Sequence, residues 1–342
     1  MRLVFFGTPE FAVPSLQRLL AEPGFEVVAV VTQPDRRRGR GNQVDASPVK
    51  QAAAVAGCPV LQPTRIKKDE ATLITLEALQ ADAFVVVAYG QLLSQRLLAM
   101  PRLGCINGHG SRLPAYRGAA PIQWCIVNGD TVTGMTTMRM NLGMDTGDML
   151  LRSTLPIGLL DTAGMVAAAL AQQCADLLVE TLRGLQAGTL TAQPQDEALA
   201  TYAPLIQKED FELDWGKPAI ALHNQVRGFY PNGVTTFRGQ PLKIIATAPL
   251  GEPHWAALPP DLGALRTTVE AIAAEAIQPN LTPGTIVGLL KGHGPLVQTG
   301  EGLLLLHQVK PSGKQVQAGG DFVNGSRLQL GERLGERLDT GD

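Results

Sequence analysis

The stretches RLVFF (residues 2–6) and AFVVVA (residues 83–88) decide the fold class. Both are short and almost wholly apolar, without the polar alternation of a half-exposed strand, which is typical of strands covered on both faces. The first run ends at Gly7-Thr8-Pro9, and apolar residues then recur at helical spacing from residue 11 to residue 20. The pattern predicts a buried strand, a turn and a helix that packs back on it.

The same alternation continues through the first half of the chain. It predicts further strands at residues 27–31, 136–140 and 149–154 and one from residue 105. It predicts further helices at residues 47–56, 119–128 and 162–187. Alternating strands and helices imply crossover connections in a parallel sheet. We therefore predict an α/β domain with a Rossmann-like, mostly parallel sheet over residues 1–189.

The regular α/β pattern stops after residue 189. Residues 190–207 are polar and contain two prolines, which favours a linker. Residues 208–342 hold an amphipathic segment and then short β-prone runs separated by glycine and proline, as in a small β-barrel or sandwich. We predict an OB-like barrel there, with a Pro- and Ala-rich insertion near residues 251–282 that carries one helix, at residues 265–277.

Composition narrows the possible partners and the compartment. The 342 residues are enough for two domains, and 29 Lys plus Arg against 31 Asp plus Glu give a net charge of −2, so any anionic partner must meet a local patch. The four cysteines form no CxxC pair, which favours buried thiols in a reducing compartment. No apolar run approaches the roughly 18 residues of a membrane span. We expect a cytoplasmic monomer without a membrane segment.

Asn107 and His109 are the first candidates for chemistry. They lie two residues apart in an extended segment, so both side chains leave the same face, with Gly108 and Gly110 keeping the backbone open around them. Ligands of open α/β sheets bind at the carboxyl ends of the strands, where this segment falls. A histidine with satisfied hydrogen bonds and a turn-forming asparagine would produce the same fragment.

Asp145 is the third candidate. It opens the turn-rich sequence Asp-Thr-Gly-Asp between two predicted strands, which could also be ordinary turn and cap chemistry. Together with Asn107 and His109, a carboxylate beside an imidazole could stabilise an oxyanion and move a proton in acyl transfer. Ser111 lacks the GxSxG frame of a nucleophile, so direct attack by a substrate amine is favoured. A lone histidine here predicts no metal site.

Two of these motifs resemble the signature of a known enzyme family. The pattern Asn-x-His-x-Ser-x-x-Pro-x-x-Arg-Gly-x-x-Pro over residues 107–121, with Asp-Thr-Gly-Asp at residues 145–148, resembles the signature of the 10-formyltetrahydrofolate-dependent formyltransferases. The branch that acts on methionyl-tRNA is similar in further segments, at residues 6–11, 32–35, 47–50, 88–90, 202–204, 208–210, 214–215, 283–286 and 322–325. Only residues 251–282 have no match to that pattern.

The resemblance implies transfer of a formyl group from 10-formyltetrahydrofolate, a co-substrate, to the α-amino group of initiator methionyl-tRNA. Asn107 and His109 would stabilise the tetrahedral oxyanion, and Asp145 would orient His109 and assist proton transfer. The implied folate-binding residues fall in two segments, Tyr89, Gly90, Gln91, Leu92 and Leu93, and Ser111, Arg112, Leu113 and Pro114. The backbone of the first segment would face the pterin.

Two residues depart from that family's pattern. Family members usually carry a bulky apolar residue where Gly108 stands and leucine where Arg112 stands. Arg112 could contact the folate tail or the tRNA end, and we expect it to point to solvent.

A run of arginines follows the second predicted strand. Arg36, Arg37, Arg38 and Arg40 lie in a glycine-containing loop, which is either a solvated charge run or a segment that orders on an RNA backbone. The resemblance implies that this loop senses the weak first base pair of initiator tRNA through Arg40. From Leu205 onward, 12 Lys plus Arg against 14 Asp plus Glu give −2, so net charge does not support a basic face there. A local patch would draw on Arg227, Arg238, Lys243, Lys291, Lys310 and Lys314.

Three rival functions follow from the same sequence. A dinucleotide-binding dehydrogenase would fit the sheet, but the first turn lacks GxGxxG. A formyltransferase for a nucleotide or sugar amine, or a formyl-folate hydrolase, would share the site but not the arginine run and the β domain. An RNA-binding module with an inactive site would lack turnover, which an assay detects.

Overall fold

The computed structural model of the protein describes residues 1–38, 43–276 and 281–336. The strands of the first 204 residues are β1 (Arg2–Gly7), β2 (Glu26–Val31), β3 (Arg36–Arg38), β4 (Gln43–Asp45), β5 (Val60–Leu61), β6 (Ala83–Val87), β7 (Cys105–His109), β8 (Arg117–Gly118), β9 (Val132–Thr133), β10 (Thr136–Arg139), β11 (Met149–Arg152), β12 (Leu155–Pro156) and β13 (Tyr202–Ala203). The helices of this part are α1 (Val13–Ala21), α2 (Pro48–Val55), α3 (Glu70–Ala78), α4 (Gln95–Ala99), α5 (Pro121–Val127) and α6 (Ala163–Ala187).

The main sheet of this part has seven strands in the order β11-β10-β7-β6-β1-β2-β5. The pairs from β5 to β7 are parallel, and β10 and β11 add two antiparallel pairs at one edge. Strand β6 is buried at every residue, as its unbroken apolar sequence predicts for a strand with helices on both faces. The predicted mostly parallel α/β sheet is confirmed.

The strand order places a topological switch point at β1. The chain builds β2 and β5 on one side of β1 and then β6 and β7 on the other. The ends of the two central strands are tied together, because the Thr8 hydroxyl donates a hydrogen bond to the Tyr89 carbonyl (3.1 Å). Ligands of such sheets bind beyond the carboxyl ends of the strands at this point. The turns that follow β1, β6 and β7 all lie on that edge.

The remaining elements form a small β domain. Its strands are β14 (Val234–Phe237), β15 (Gln240–Leu250), β16 (Ile286–Leu290), β17 (Gly294–Gln298), β18 (Leu303–Pro311) and β19 (Gln317–Ala318). Its helices are α7 (Ala219–Gly228), α8 (Pro260–Gly263), α9 (Arg266–Ala276) and α10 (Gly319–Ser326). The strands pair antiparallel in the order β14-β15-β18-β17-β16.

Residues 333 and 334 join the two edges of this antiparallel sheet. Leu334 bridges Phe237 in β14, and Arg333 bridges Thr285 beside β16, so both outer strands acquire a backbone partner. An apolar core that includes Trp215, Ile244 and Leu304 fills the interior. The predicted small β domain is confirmed in a barrel-like form.

The described part of the insertion, residues 251–276 and 281–282, packs on this domain through its first stretch. Its helix α9 was predicted over residues 265–277 and spans Arg266–Ala276. Trp255, Leu262 and Val269 from the insertion bury their side chains in a second cluster with Leu250 and Leu303. The insertion therefore extends the apolar core of the β domain.

The structure divides into two compact units, and neither follows the sequence without interruption. The first unit is Met1–Pro121, Thr133–Leu155 and Ala167–Pro204, and the second contains Ile122–Val132, Pro156–Val166 and the chain from residue 205. Two segments of the predicted first domain thus group with the second unit. The rings of Trp124 in α5 and Phe229 meet edge to face at 5.2 Å, and the His223 ring donates from Nε2 to the Leu159 carbonyl (2.7 Å).

The predicted linker also has a defined structure within its central part. Gln193 pairs with Met149, and β13 pairs with β8, so residues 193–203 belong to the first unit and contact two of its loops. Polar composition and two prolines suggested a connecting segment, but these polar residues satisfy the backbone groups of the loops instead.

Candidate active site

Strand β7 sorts its residues onto two faces. It lies between β6 and β10, with Asn107 opposite Val86 on one side and Met138 on the other. Because side chains alternate along a strand, Asn107 and His109 share one face and Gly108 belongs to the other. A Cβ on Gly108 would lie 2.5 Å from the buried Cys174 Sγ in α6. Glycine stands at this position because the thiol of α6 already occupies the space.

His109 is held by two groups at opposite sides of its ring. Its Nε2 lies 2.9 Å from the Tyr116 carbonyl, and its Nδ1 lies 3.6 Å from Asp145 Oδ2. A carbonyl oxygen only accepts, so Nε2 carries a hydrogen in either charge state of the ring. The nitrogen that can gain or lose a proton is therefore Nδ1, which faces the carboxylate. Only 6% of the His109 side chain is exposed.

Asp145 sits in a turn that few non-glycine residues adopt. Its φ is +54°, in the left-handed region. Its Oδ2 accepts a hydrogen bond from the Gly118 amide (2.9 Å), so one carboxylate oxygen faces both that amide and the imidazole. Nearby, Asn141 Oδ1 accepts from the Gly143 amide (3.0 Å) and the Thr146 hydroxyl (2.9 Å). The turn-rich sequence predicted such a loop, and the structure brings its carboxylate to the predicted histidine.

The Asn107 side chain differs from its neighbours in having an open amide. It is half-buried, and within residues 1–38, 43–276 and 281–336 it makes no hydrogen bond. A half-buried amide on the same strand face as His109 is available to a bound molecule. The structure thus places Asn107 and His109 on one face of β7 and Asp145 beside His109.

The segment of residues 88–93 follows β6 at the switch-point edge. Ala88 and Gly90 have positive φ, of 47° and 83°, and Gly90 and Leu92 are exposed. The Tyr89 ring turns inward against Phe6, at 5.5 Å between ring centroids, and burial raises the pKa of its hydroxyl. Its backbone, rather than its side chain, faces the open edge.

Gln91 and Leu93 have structural partners. Gln91 Oε1 accepts from the Ile66 amide (2.9 Å) and its Nε2 donates to the Pro63 carbonyl (3.2 Å), while Leu93 is buried. Leu92 is 62% exposed and is the side chain of this segment that is available for an apolar contact.

The second predicted folate segment also divides into inward and outward residues. Ser111 and Leu113 are fully buried, and the Ser111 hydroxyl donates to the Ala115 carbonyl (2.6 Å). Their side chains shape the loop from inside. Arg112 is exposed, as the sequence predicted, and Pro114 is half-buried.

The arginine run forms part of a hairpin. Arg36, Arg37 and Arg38 lie on β3, which pairs antiparallel with β4, Arg36 opposite Asp45 and Arg38 opposite Gln43. The sequence predicted a loop for all four arginines, so the prediction was wrong for these three, because backbone pairing makes a strand of them. Arg40 lies outside the described residues.

The candidates for a basic patch on the second unit differ in availability. Arg227 is buried, and its guanidinium donates to the Gly158 and Asp161 carbonyls (2.9 and 3.0 Å), while Arg238 pairs with Glu332 (2.7 Å). Lys243 and Lys310 are exposed and directly opposite each other on β15 and β18. Like charges in this arrangement repel each other, and an anionic partner would relieve that repulsion.

Sequence reasoning missed a polar network behind the Asp145 turn. Arg117 pairs in a bidentate manner with Glu197 (2.8 Å for both contacts), and Gln195 contacts both Arg117 and the Asp145 turn. Arg117 belongs to the signature segment of residues 107–121, and this was the one sequence feature that could have indicated a role for it. The other two residues lie in the segment predicted as a linker.

Within the described residues, no three His, Cys, Asp or Glu side chains lie close enough to hold a metal ion. Helix α6 is long and apolar enough to cross a membrane by length and composition alone, and half of its apolar window is buried inside the protein. Core helices of globular proteins share that composition.

Comparison with known proteins defines the class. Residues 1–182 match the family model described as formyl transferase, and residues 205–327 match the formyl transferase C-terminal domain. Among solved structures, a sugar 3N-formyl transferase, WlaRD, superposes with a TM-score of 0.60 at 17% identity, covering 92% of this chain and 99% of that one. HypX from Aquifex aeolicus, in complex with tetrahydrofolic acid, superposes with a TM-score of 0.58 at 14% identity, covering 100% of this chain and 50% of that one. These likenesses show a shared fold.

Curated relatives narrow the class further. A methionyl-tRNA formyltransferase from Cyanothece sp. is 60% identical over 98% of this chain and 99% of its own length. A second protein of that name, from Trichormus variabilis, is 58% identical over the same shares. The chain belongs to the methionyl-tRNA formyltransferase family, and it is an enzyme of the formyltransferase class.

Proposed function

We propose that this enzyme transfers the formyl group of 10-formyltetrahydrofolate to the α-amino group of methionine on initiator tRNA. The observation that carries the proposal is the placement of His109 against Asp145, at 3.6 Å, on the same strand face as the open amide of Asn107. Family membership supplies the reaction class, and the named substrate of the relatives supplies the acceptor.

In the proposed mechanism, the amine attacks the formyl carbon directly. Negative charge then develops on the formyl oxygen, where the Asn107 amide and the Nδ1–H of His109 donate hydrogen bonds. The bond from the formyl carbon to N10 of the folate breaks as the proton on His109 Nδ1 passes to N10, and the proton of the attacking amine replaces it on Nδ1. The Asp145 carboxylate beside Nδ1 and the Tyr116 carbonyl at Nε2 together fix the orientation of the ring.

The position of the folate follows from the sheet. We place the pterin against the backbone of residues 89–93, where exposed Gly90 leaves the chain uncovered at the switch-point edge. Leu92 supplies apolar contact, and Pro114 with Arg112 lies on the neighbouring loop. Ser111 and Leu113 act through the shape of that loop, since their side chains are buried.

We assign tRNA contacts to the arginine hairpin, with Arg36, Arg37 and Arg38 on β3 and Arg40 beyond it. The pair Lys243 and Lys310 is a second candidate for phosphate contacts, because two opposed ammonium groups are stabilised by a bridging anion. Affinity that depends on several phosphates falls steeply with salt.

The test is incubation with 10-formyltetrahydrofolate and methionyl-tRNA, scored as formylmethionine, with elongator methionyl-tRNA in parallel. Asn107→Ala and His109→Ala should each lower kcat by roughly a hundredfold or more, since each removes a donor at the developing oxyanion. Folate binding, measured by titration, should persist. Near-normal turnover of either variant, or no formylation of initiator tRNA by the parent enzyme, would contradict the proposal.

The carboxylate has a matched control in the same turn. Asp145→Asn should lower kcat strongly because it removes the charge beside His109. Asp148→Asn makes the same change three residues away, at an exposed side chain without an ion pair to any described residue, and should leave kcat near the parent value. Equal losses in both variants would mean that the charge of the loop matters rather than the contact with His109.

A further inference from the structure

The segment of residues 193–203, predicted as a linker, lies across both loops of the candidate active site. Gln193 exchanges two backbone hydrogen bonds of 2.8 Å with Met149, which follows the Asp145 turn. Further along, the Thr201 carbonyl accepts from the Arg117 amide (2.8 Å), and β13 pairs with β8. One segment, with a single 3-10 turn at Glu197–Leu199, thus joins the loop after β7 to the loop before β11.

The side chain of Gln195 connects the two loops directly. Its Nε2 donates to the carbonyls of Asp145 and Gly147, both at 2.7 Å, and its Oε1 accepts from Arg117 Nε at 3.0 Å. The orientation of the amide follows from chemistry, because the two carbonyls only accept and the guanidinium only donates. In this orientation each polar atom of the Gln195 amide meets a complementary donor or acceptor.

Arg117 fixes the other side of this amide. Its side chain is fully buried, and two hydrogen bonds of 2.8 Å to Glu197 hold the guanidinium and raise its pKa. The residues on either side of Arg117 touch the catalytic pair, since the Tyr116 carbonyl faces His109 Nε2 and the Gly118 amide donates to Asp145. Movement of this loop would displace both partners.

We infer that Gln195 is a positioning residue for formyl transfer, which acts by holding the Asp145 carboxylate opposite His109. The inference rests on the roles of Asp145 and His109 under the proposed function. Asp145 has a φ of +54°, which its side chain disfavours, and the Gln195 amide donates to the carbonyls of the turn that contains this strained residue. Without those donors the turn loses two of the hydrogen bonds that hold it in that conformation.

The first experiment replaces the amide by a side chain of similar size. Gln195→Met removes both donated hydrogen bonds and the acceptor for Arg117. We expect kcat to fall roughly tenfold or more, because a displacement of about an ångström at a reacting group can cost about a hundredfold. KM for both substrates should change little, since Gln195 is not placed in either binding segment.

Gln193→Met is the matched control. It makes the same chemical change two residues away, at an exposed side chain that forms no hydrogen bond with the described residues. Its kcat should equal that of the parent enzyme. A similar fall in both variants would mean that the segment tolerates no methionine, and it would overturn the inference.

A double-variant cycle separates positioning from general stabilisation. If Gln195 acts through Asp145, Gln195→Met should lower kcat little further in the Asp145→Asn background. Full additivity of the two losses, or a lower melting temperature with unchanged kcat, would overturn the inference. If Gln195→Met does not fold, Glu197→Gln decides in its place. This substitution weakens the ion pair that holds the Arg117 guanidinium, and because the Glu197 side chain is 71% exposed the fold should tolerate it. It should lower kcat in the parent enzyme but not in the Asp145→Asn background.

The kcat values of two variants distinguish a failure of this inference from a failure of the proposed function. Normal kcat in Asp145→Asn would remove the catalytic role of that carboxylate and both conclusions with it. A strong loss in Asp145→Asn with normal kcat in Gln195→Met would overturn the positioning role alone.

Discussion

Replacing Gly108 by alanine should disturb the active site from the face of β7 opposite to Asn107 and His109. The added methyl group would point away from Asn107 and His109, toward α6, and its carbon would lie 2.5 Å from the Cys174 Sγ. Ordinary contacts of a Cβ begin near 3.4 Å, so either the thiol or the strand must move by roughly an ångström. Cys174 is fully buried, which limits its freedom to rotate.

The magnitude follows from overpacking. Inserting a methyl group into a filled core costs about 1–3 kcal/mol. A loss of about 2 kcal/mol lowers the melting temperature of a domain of this size by about 4–8 °C. If β7 rather than the thiol moves, kcat should fall as well, by up to about a hundredfold, because Asn107 and His109 lie on the same strand.

The second substitution supplies the control. Cys174→Ala should cost about 1 kcal/mol by itself, since it removes one buried sulfur atom. In the double variant, the nearest atoms to the new methyl group are Leu178 Cδ1 and Val87 Cγ2, each at 3.7 Å, which is ordinary contact. Melting temperature and kcat should both recover toward the parent values. Gly108→Ala with unchanged melting temperature and kcat, or a double variant worse than either single variant, would refute the steric account.

Two further outcomes concern the second unit and the tRNA. Burial lowers the pKa of His223 to about 4, so the folded protein keeps this ring neutral where the unfolded chain would protonate it. The free energy of unfolding is therefore highest above about pH 6.5. It falls by about 3 kcal/mol as the pH drops from 6.5 toward 4. Urea unfolding of His223→Gln should therefore depend less on pH over that range than unfolding of the parent, and equal slopes would contradict this. Arg40→Ala should lower kcat/KM for initiator tRNA more than for the same tRNA given a strong first base pair, and equal losses would reduce Arg40 to an electrostatic anchor.

Much of the fold could be predicted because its signals are local. The unbroken apolar runs of β1 and β6 have no stable place except between two layers of helices, and the sequence shows both runs. The bounds of α9 and of the long helix α6 also follow from periodicity and from Gly188. Strand β17 gives no clear signal in the sequence, since its five residues begin with glycine and proline and resemble a turn.

The sequence predicts the positions of some candidate site residues better than those of others. A period of two on an extended segment puts Asn107 and His109 on one face without any further knowledge. Asp145 was joined to them by chemistry, because a carboxylate beside an imidazole suits acyl transfer, although nothing local indicates which strand ends meet. Arg36, Arg37 and Arg38 were misplaced, since a charged run with glycine beyond it suits a loop as well as an edge hairpin.

The network around Gln195 shows why a polar segment is easily misjudged. Gln195 lies 50 residues from Asp145 and 78 residues from Arg117 along the chain, so no window of sequence contains the three together. Turns such as the one at Asp145 leave backbone carbonyls without partners in regular structure, and each of these requires a donor from elsewhere. Polar residues after the last helix of a domain are suited to that task, whereas the same composition predicts a solvated linker. The distinction depends on which loops the domain leaves unsatisfied, and here those loops carry the Asp145 carboxylate and the partner carbonyl of His109.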